Sequence, residues 1–126
     1  MKNIIASILI FLAVLGVVTY FNSSLINLCD KIQTDTKTIH AYIENEDWED
    51  AYNESQKLSK DINKHNFVLS MYVNHKDFDD ILDESIELCL YVQDKDPTES
   101  LIALYTLKNS ANNMQKLHKP SIENIF

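Results

Sequence analysis

The apolar residues of this chain follow two patterns. Ile4 to Phe21 form an uncharged, predominantly apolar run, and beyond it apolar residues recur every three or four positions. About 18 apolar residues can cross a bilayer core as a helix, and in lipid such a segment must be helical because its backbone groups need internal partners. The second pattern indicates amphipathic helices. We therefore predict an all-α protein with an N-terminal transmembrane helix (residues 1–23) and an antiparallel bundle of about four amphipathic helices (residues 24–126).

The apolar run is predicted to be a retained anchor. A secretory signal has a shorter apolar core of about 7–15 residues followed by small residues at its cleavage site, and no such site follows Phe21. Cleavage of the segment is the alternative. Lys2 and the α-amino group precede the run, whereas the first cation after it is Lys31. The positive-inside rule then predicts a single-pass protein of the cell membrane, with a cytoplasmic N-terminus and an extracytoplasmic C-terminal domain.

The first two bundle helices are predicted from their apolar stripes. The first covers residues 24–45, and a break from the span is possible only at residues 22–24; otherwise the two form one continuous rod. The second begins near Asn45 or Asp47, either of which can cap it. Phe67, Val68 and Val73 are expected to widen its buried face. The stripe residues are Leu25, Leu28, Cys29, Ile32, Thr36, Ile39, Tyr42 and Ile43 in the first helix, and Trp48, Ala51, Tyr52, Ser55, Leu58, Ile62, His65, Leu69 and Tyr72 in the second.

The third and fourth helices have recognisable starts. Asp47-Trp48-Glu49-Asp50 is matched thirty residues later by Asp77-Phe78-Asp79-Asp80, which predicts a second, similarly built helix start. The fourth begins at Asp96-Pro97-Thr98-Glu99, a capping box with proline at the first helical position. Pro120 should end it, and residues 121–126 should dock back on the bundle. The predicted faces are Phe78, Ile81, Leu82, Ser85, Leu88, Cys89 and Val92 in the third helix, and Leu101, Leu104, Tyr105, Ala111, Met114 and Leu117 in the fourth.

Composition limits the function. The formal net charge is −8, and all eleven basic residues are lysines, so the basic, arginine-bearing face typical of nucleic-acid binding is not expected. Cys29 and Cys89 lack the spacing of metal ligands. A disulfide between them is possible outside the cell, but the favoured interpretation is two small apolar residues on helix faces.

Candidate catalytic chemistry is sparse. No Glu-x-x-His pair is present, although a di-metal bundle needs two of them. Asp61 and His65 lie one helical turn apart, and the favoured interpretation is a histidine at the core edge held by that carboxylate. His75 is expected in a turn, where it makes a capping or turn hydrogen bond. The carboxylates from Asp77 to Glu84 lack the glycine of a helix–loop–helix calcium site. We therefore expect no enzyme activity, no catalytic residue, no metal and no cofactor.

Several features together resemble a known family. A tryptophan early in a helix (Trp48) is followed by an aromatic residue further on (Phe67, where the family has tryptophan), by His75-Lys76-Asp77-Phe78 and by Asn124-Ile125 near the end. With the N-terminal span, these features are similar to the small anchored proteins of spore-forming, low-GC Gram-positive bacteria that are grouped as domain of unknown function 4363. The resemblance implies no catalytic residues. It also implies a multi-pass membrane protein as partner, because relatives are encoded beside such proteins.

Two classes of function remain. The first is a non-catalytic accessory or scaffold protein that docks a membrane partner. The alternative is an extracytoplasmic sensor, in which a small molecule or cation lies between helices. An exposed apolar patch would favour the scaffold, and a buried apolar pocket with converging polar groups would favour the sensor. The candidate interaction or structural residues are Trp48, Phe67, His75, Phe78 and Asn124. The sequence leaves the oligomeric state open.

Overall fold

The computed structural model describes residues 1–118, which form four α-helices and no strand. In chain order these are α1 (Lys2–Glu44), α2 (Trp48–Leu69), α3 (His75–Gln93) and α4 (Pro97–His118). The short connections make consecutive helices antiparallel. The predicted fold class is therefore confirmed.

The first helix is a single rod of 43 residues, which corresponds to a length of about 64 Å. The sequence left open a break at residues 22–24 or one continuous rod; the structure has the rod, since the helix passes through Asn22 and Ser23 without interruption. An 18-residue window of α1 has a mean hydropathy of 2.7 and contains no residue buried within the protein. By length and composition, this part of α1 is able to cross a membrane.

The C-terminal half of α1 and the other three helices form a ring in which α1 packs on α2, α2 on α3, α3 on α4 and α4 on α1. Their apolar stripes meet in one core. The predicted stripe of α1 is confirmed, because Leu25 and Ile39 are fully buried and Ile32 nearly so. A single apolar stripe on each helix is enough to form this core, because every helix packs against two neighbours.

The predicted face of α4 is wrong in part. Tyr105 and Leu117 are 66% and 73% exposed, whereas Leu107 is fully buried and Ala103 is 7% exposed. Residues 101–105 read Leu-Ile-Ala-Leu-Tyr, so apolar side chains surround the helix there. Periodicity alone then cannot select the face that packs.

The turns at the far end of the bundle, away from the apolar half of α1, share one geometry. Glu46 and Lys95 have φ of 58° and 56°, and each ends its helix with the two hydrogen bonds of a Schellman motif. An aspartate follows each and caps the next helix: Asp47 accepts from the amide of Asp50 at 3.4 Å, and Asp96 from that of Glu99 at 3.1 Å. The predicted caps at Asp47 and Asp96 are confirmed.

The predicted similarity of the second and third helix starts is wrong. Asn74 caps α3 by accepting a hydrogen bond from the amide of Lys76 at 3.0 Å. His75 is therefore the first residue of α3 and not a turn residue, and Asp77 lies inside the first turn. Asp77 is thus not the equivalent of Asp47, because the cap of α3 is Asn74, three residues before Asp77.

The near end of the bundle is tied to α1 by Tyr72. Its hydroxyl donates to Asn22 Oδ1 at 3.2 Å, and its ring stacks on that of Phe21 with centroids 6.1 Å apart. The expectation that Phe67, Val68 and Val73 widen the buried face of α2 is wrong for the first two, which are 76% and 40% exposed, whereas Val73 is buried in the core. The predictions about Pro120, the docked tail and Asn124 lie outside the described residues.

Phe67 and Phe78 allow a matched test of the packing. Phe78→Ala should destabilise the protein by about 3–5 kcal/mol, because a fully buried ring leaves a cavity. Phe67→Ala should change the free energy of unfolding by less than about 0.5 kcal/mol, because surface substitutions away from special features change little. Denaturant unfolding of the detergent-solubilised chain measures both, and equal losses would contradict this packing.

Candidate functional site

The structure does not bring the predicted site residues together. Trp48 is partly buried at the far end of the bundle, in a crevice with Tyr52, Val92 and Lys95. Phe67 and His75 are exposed at the opposite end, beside Phe78, which is fully buried in the core. Asn124, the fifth candidate, cannot be placed. Trp48 and Phe78 therefore contribute to packing, whereas Phe67 and His75 are surface residues.

A groove of about 470 Å³ lies between α1 and α4. Its walls combine apolar and cationic side chains, and no carboxylate among residues 1–118 lines it. We call this feature the α1–α4 groove; it is lined by Thr36, Lys37, His40, Leu101, Ile102, Leu104, Tyr105, Thr106 and Lys108. Ile102 and Tyr105 remain 55% and 66% exposed. The groove therefore presents apolar surface that the bundle leaves uncovered.

The charge of the α1–α4 groove is opposite to that of the whole chain, whose formal net charge is −8. Within residues 1–118, Lys37 and Lys108 form no ion pair, and His40 faces Glu44 at 3.4 Å on its own helix. Two uncompensated ammonium groups beside apolar surface favour an amphipathic, negatively charged binding partner. The sequence contained one signal for this groove, the five successive apolar residues at 101–105 that exceed a single stripe.

A smaller crevice between α3 and α4 contains Glu84. Ser110 donates to Glu84 Oε1 at 2.9 Å, and the other carboxyl oxygen is buried without a hydrogen-bond partner among residues 1–118. Burial raises the pKa of Glu84 above its usual 4.5, and repulsion from Asp80 adds to this, while the bond from Ser110 opposes it. The fold thus makes ionisation of Glu84 unfavourable.

Both cysteines are free. Burial raises the pKa of Cys29 to about 12 and that of Cys89 to about 11. Since the thiolate is the reactive form, both thiols are poor nucleophiles at neutral pH. Their placement on inward-facing sides of α1 and α3 matches the interpretation as small apolar residues.

The interpretation of Asp61 and His65 needs correction. His65 Nδ1 donates to the backbone carbonyl of Asp61 at 2.8 Å, not to its carboxylate. That carboxylate faces Lys31 on α1 at 3.1 Å, and Lys31 also pairs with Asp35 at 2.7 Å. The Asp61 carboxylate therefore pairs with Lys31 and not with His65, and Lys31 binds the carboxylates of both Asp61 and Asp35.

The acidic run of α3 makes helical ion pairs. Asp79 lies 3.4 Å from His75 and Asp80 lies 3.2 Å from Lys76, each one turn along the helix. Among residues 1–118, no group of three or more His, Cys, Asp or Glu side chains has the arrangement of a metal site.

Glu84 generates a pH-dependent prediction. Because its folded pKa exceeds its unfolded value, the folded state binds the proton more tightly, and stability falls as pH rises from 4.5 through the folded pKa. Glu84→Gln should therefore raise the Tm at neutral pH, and the gain should shrink below about pH 4.5. Thermal unfolding of the detergent-solubilised chain across this range measures the effect. Glu87→Gln, an exposed change on the same helix, is the control; a Glu84→Gln gain independent of pH would contradict the assignment.

Comparison with known proteins gives one match. No curated protein and no solved structure matches the chain. The family described as Domain of unknown function (DUF4363) matches residues 19–125. This match begins near the end of the apolar run and includes the whole bundle, and it agrees with the resemblance drawn from Trp48 and the residues around His75. The chain therefore belongs to the family Domain of unknown function (DUF4363).

Proposed function

We propose that this protein is a single-pass, membrane-anchored and non-catalytic accessory subunit, whose bundle docks an extramembrane segment of a membrane protein in the α1–α4 groove. The observation that carries the proposal is this apolar groove with a cationic rim on an otherwise acidic bundle. Exposed apolar surface rimmed by polar residues is typical of interaction sites.

The anchor supports a partner in the same membrane. The apolar half of α1 is exposed along its length, so it needs lipid or another protein around it. The groove begins at Thr36, about 22 Å along the helix from Phe21, which is beyond the headgroup layer. A segment that projects from a neighbouring membrane protein can reach this height, whereas the lipid surface cannot.

The chemistry of the groove defines the segment. Leu101, Ile102 and Tyr105 offer apolar contact, and Lys37 and Lys108 flank them. An amphipathic segment that carries aspartate or glutamate next to apolar residues satisfies both requirements. Such charges chiefly set specificity and the rate of association, while the apolar contacts supply affinity.

Small-ligand binding is the second candidate function. The groove volume of about 470 Å³ lies in the range of small-molecule sites, so a small amphiphilic anion fits it by the same chemistry. The groove lies at the surface, where Ile102 and Tyr105 are 55% and 66% exposed, which favours the protein partner.

Charge reversal tests the groove. The double variant Lys37→Glu with Lys108→Glu should reduce recovery of the partner by about tenfold or more, because like charges then face each other. The measurement is quantitative mass spectrometry of proteins co-purified with the tagged full chain after crosslinking in membranes. The control is Lys57→Glu with Lys60→Glu, an equal change on the exposed face of α2.

Equal recovery of every associated protein by both double variants would contradict docking in the groove. A small amphiphile retained by the wild-type chain and lost only from the groove variant would instead establish the second candidate function.

Topology is tested with cysteines placed on exposed positions. With the bundle outside, a maleimide that cannot cross membranes should label Asn63→Cys in intact cells, and it should label Asn3→Cys only after lysis. Cys29 and Cys89 give a low background because burial raises the pKa of both thiols. Labelling of Asn3→Cys in intact cells, with Asn63→Cys protected, would reverse the orientation.

A further inference from the structure

We propose that the near end of the bundle is a second membrane-contacting surface, which rests in the lipid headgroup layer beside the anchor. This surface, the bundle base, consists of Phe67, Val68, Met71 and Leu117. These side chains are 76%, 40%, 71% and 73% exposed. The antiparallel order places them at one end, because α2 and α4 both finish there.

The position of the bundle base relative to the anchor follows from Tyr72. Its ring stacks on Phe21, the last residue of the apolar run, and it also lies 5.5 Å from the ring of His118 at the end of α4. Its hydroxyl bonds Asn22. The base therefore lies at the level where the apolar run ends. A headgroup layer is about 5–7 Å thick on each side of the hydrocarbon, so side chains at this level meet lipid.

The charge distribution favours lipid as the occupant. Residues 62–76 contain two lysines and two histidines but no carboxylate, although the chain is strongly acidic. On α3, Asp77 follows directly in the first turn, and the next two carboxylates, Asp79 and Asp80, pair with His75 and Lys76. Apolar side chains flanked by lysines are the pattern of interfacial anchors, which are attracted to anionic headgroups.

Two separate contacts with the membrane have a structural consequence. The anchor alone fixes the height of the bundle but lets it tilt, whereas contact at the bundle base also sets its inclination. The α1–α4 groove is then held at a defined angle to the membrane. This inference rests on the proposed anchoring of α1, and the experiment separates the two.

The test uses tryptophan reporters in the full chain. In a Trp48→Phe background, which removes the one native tryptophan, the variants Phe67→Trp and Met71→Trp report on the bundle base. Tyr105→Trp is the matched exposed control in the groove, and Phe11→Trp reports on the anchor. Each protein is reconstituted in vesicles of phosphatidylcholine and phosphatidylglycerol whose acyl chains carry bromine near the headgroup, and aqueous iodide is the opposing quencher.

We expect Phe67→Trp and Met71→Trp to lose most of their fluorescence to brominated lipid and to resist iodide, with Tyr105→Trp showing the opposite. Quenching of Phe11→Trp by lipid, with both base reporters behaving like Tyr105→Trp, would overturn the inference while the anchor stands; the base would then be open to a protein partner. If brominated lipid does not quench Phe11→Trp either, the proposed anchor is wrong, and the inference that depends on it is wrong as well.

Discussion

The unbroken backbone of α1 is the constraint on which the rest of the structure depends. The helix leaves its apolar half and enters the bundle core without a turn, so the rotation of its buried stripe is fixed relative to the apolar segment. Leu25 and Ile32 begin that stripe within about three turns of Phe21. A helix with one apolar stripe is unstable alone in water, so α2, α3 and α4 must complete the core at this position.

Antiparallel packing around α1 makes the two ends of the bundle chemically different. The far end contains two tight turns, at Glu46 and Lys95, each closed by backbone hydrogen bonds and followed by an aspartate cap. The near end is organised by Asn74 and Tyr72 and exposes apolar side chains. The acidic residues of the α2 start lie at the far end, where they favour the helix dipole. The start of α3 places Asp77, Asp79 and Asp80 at the near end, so the exposed apolar side chains are what distinguishes that end.

Burial disfavours the ionised forms of three titratable side chains. It raises the pKa of Cys29, Cys89 and Glu84. The exposed chemistry lies instead in the α1–α4 groove and on the bundle base. The bundle thus places exposed apolar and charged side chains in the groove and on the base. Together with membership of a family of unknown function, this is the basis for proposing a role in recognition for the bundle.

The sequence by itself determined the helices and most of their packing faces. The regular spacing of apolar residues was sufficient to predict the buried stripe of α1, because that stripe depends on burial of a single helix face. The capping residues were sufficient to predict the helix starts at Asp47 and Asp96, because caps depend on local hydrogen bonds. The family was also recognisable, from Trp48 and the residues around His75.

Only the tertiary structure decided which of several apolar residues remain uncovered. In α4, apolar side chains surround the helix at residues 101–105, and contact with α1 and α3 selected Leu107 over Tyr105. At the end of α2, Phe67 is exposed, whereas Leu69 is buried and Tyr72 just beyond the helix contacts α1. The partner of Asp61 likewise became Lys31 because helix packing brings α1 beside it. These outcomes depend on contacts between residues far apart in the sequence, which periodicity within a single helix does not encode.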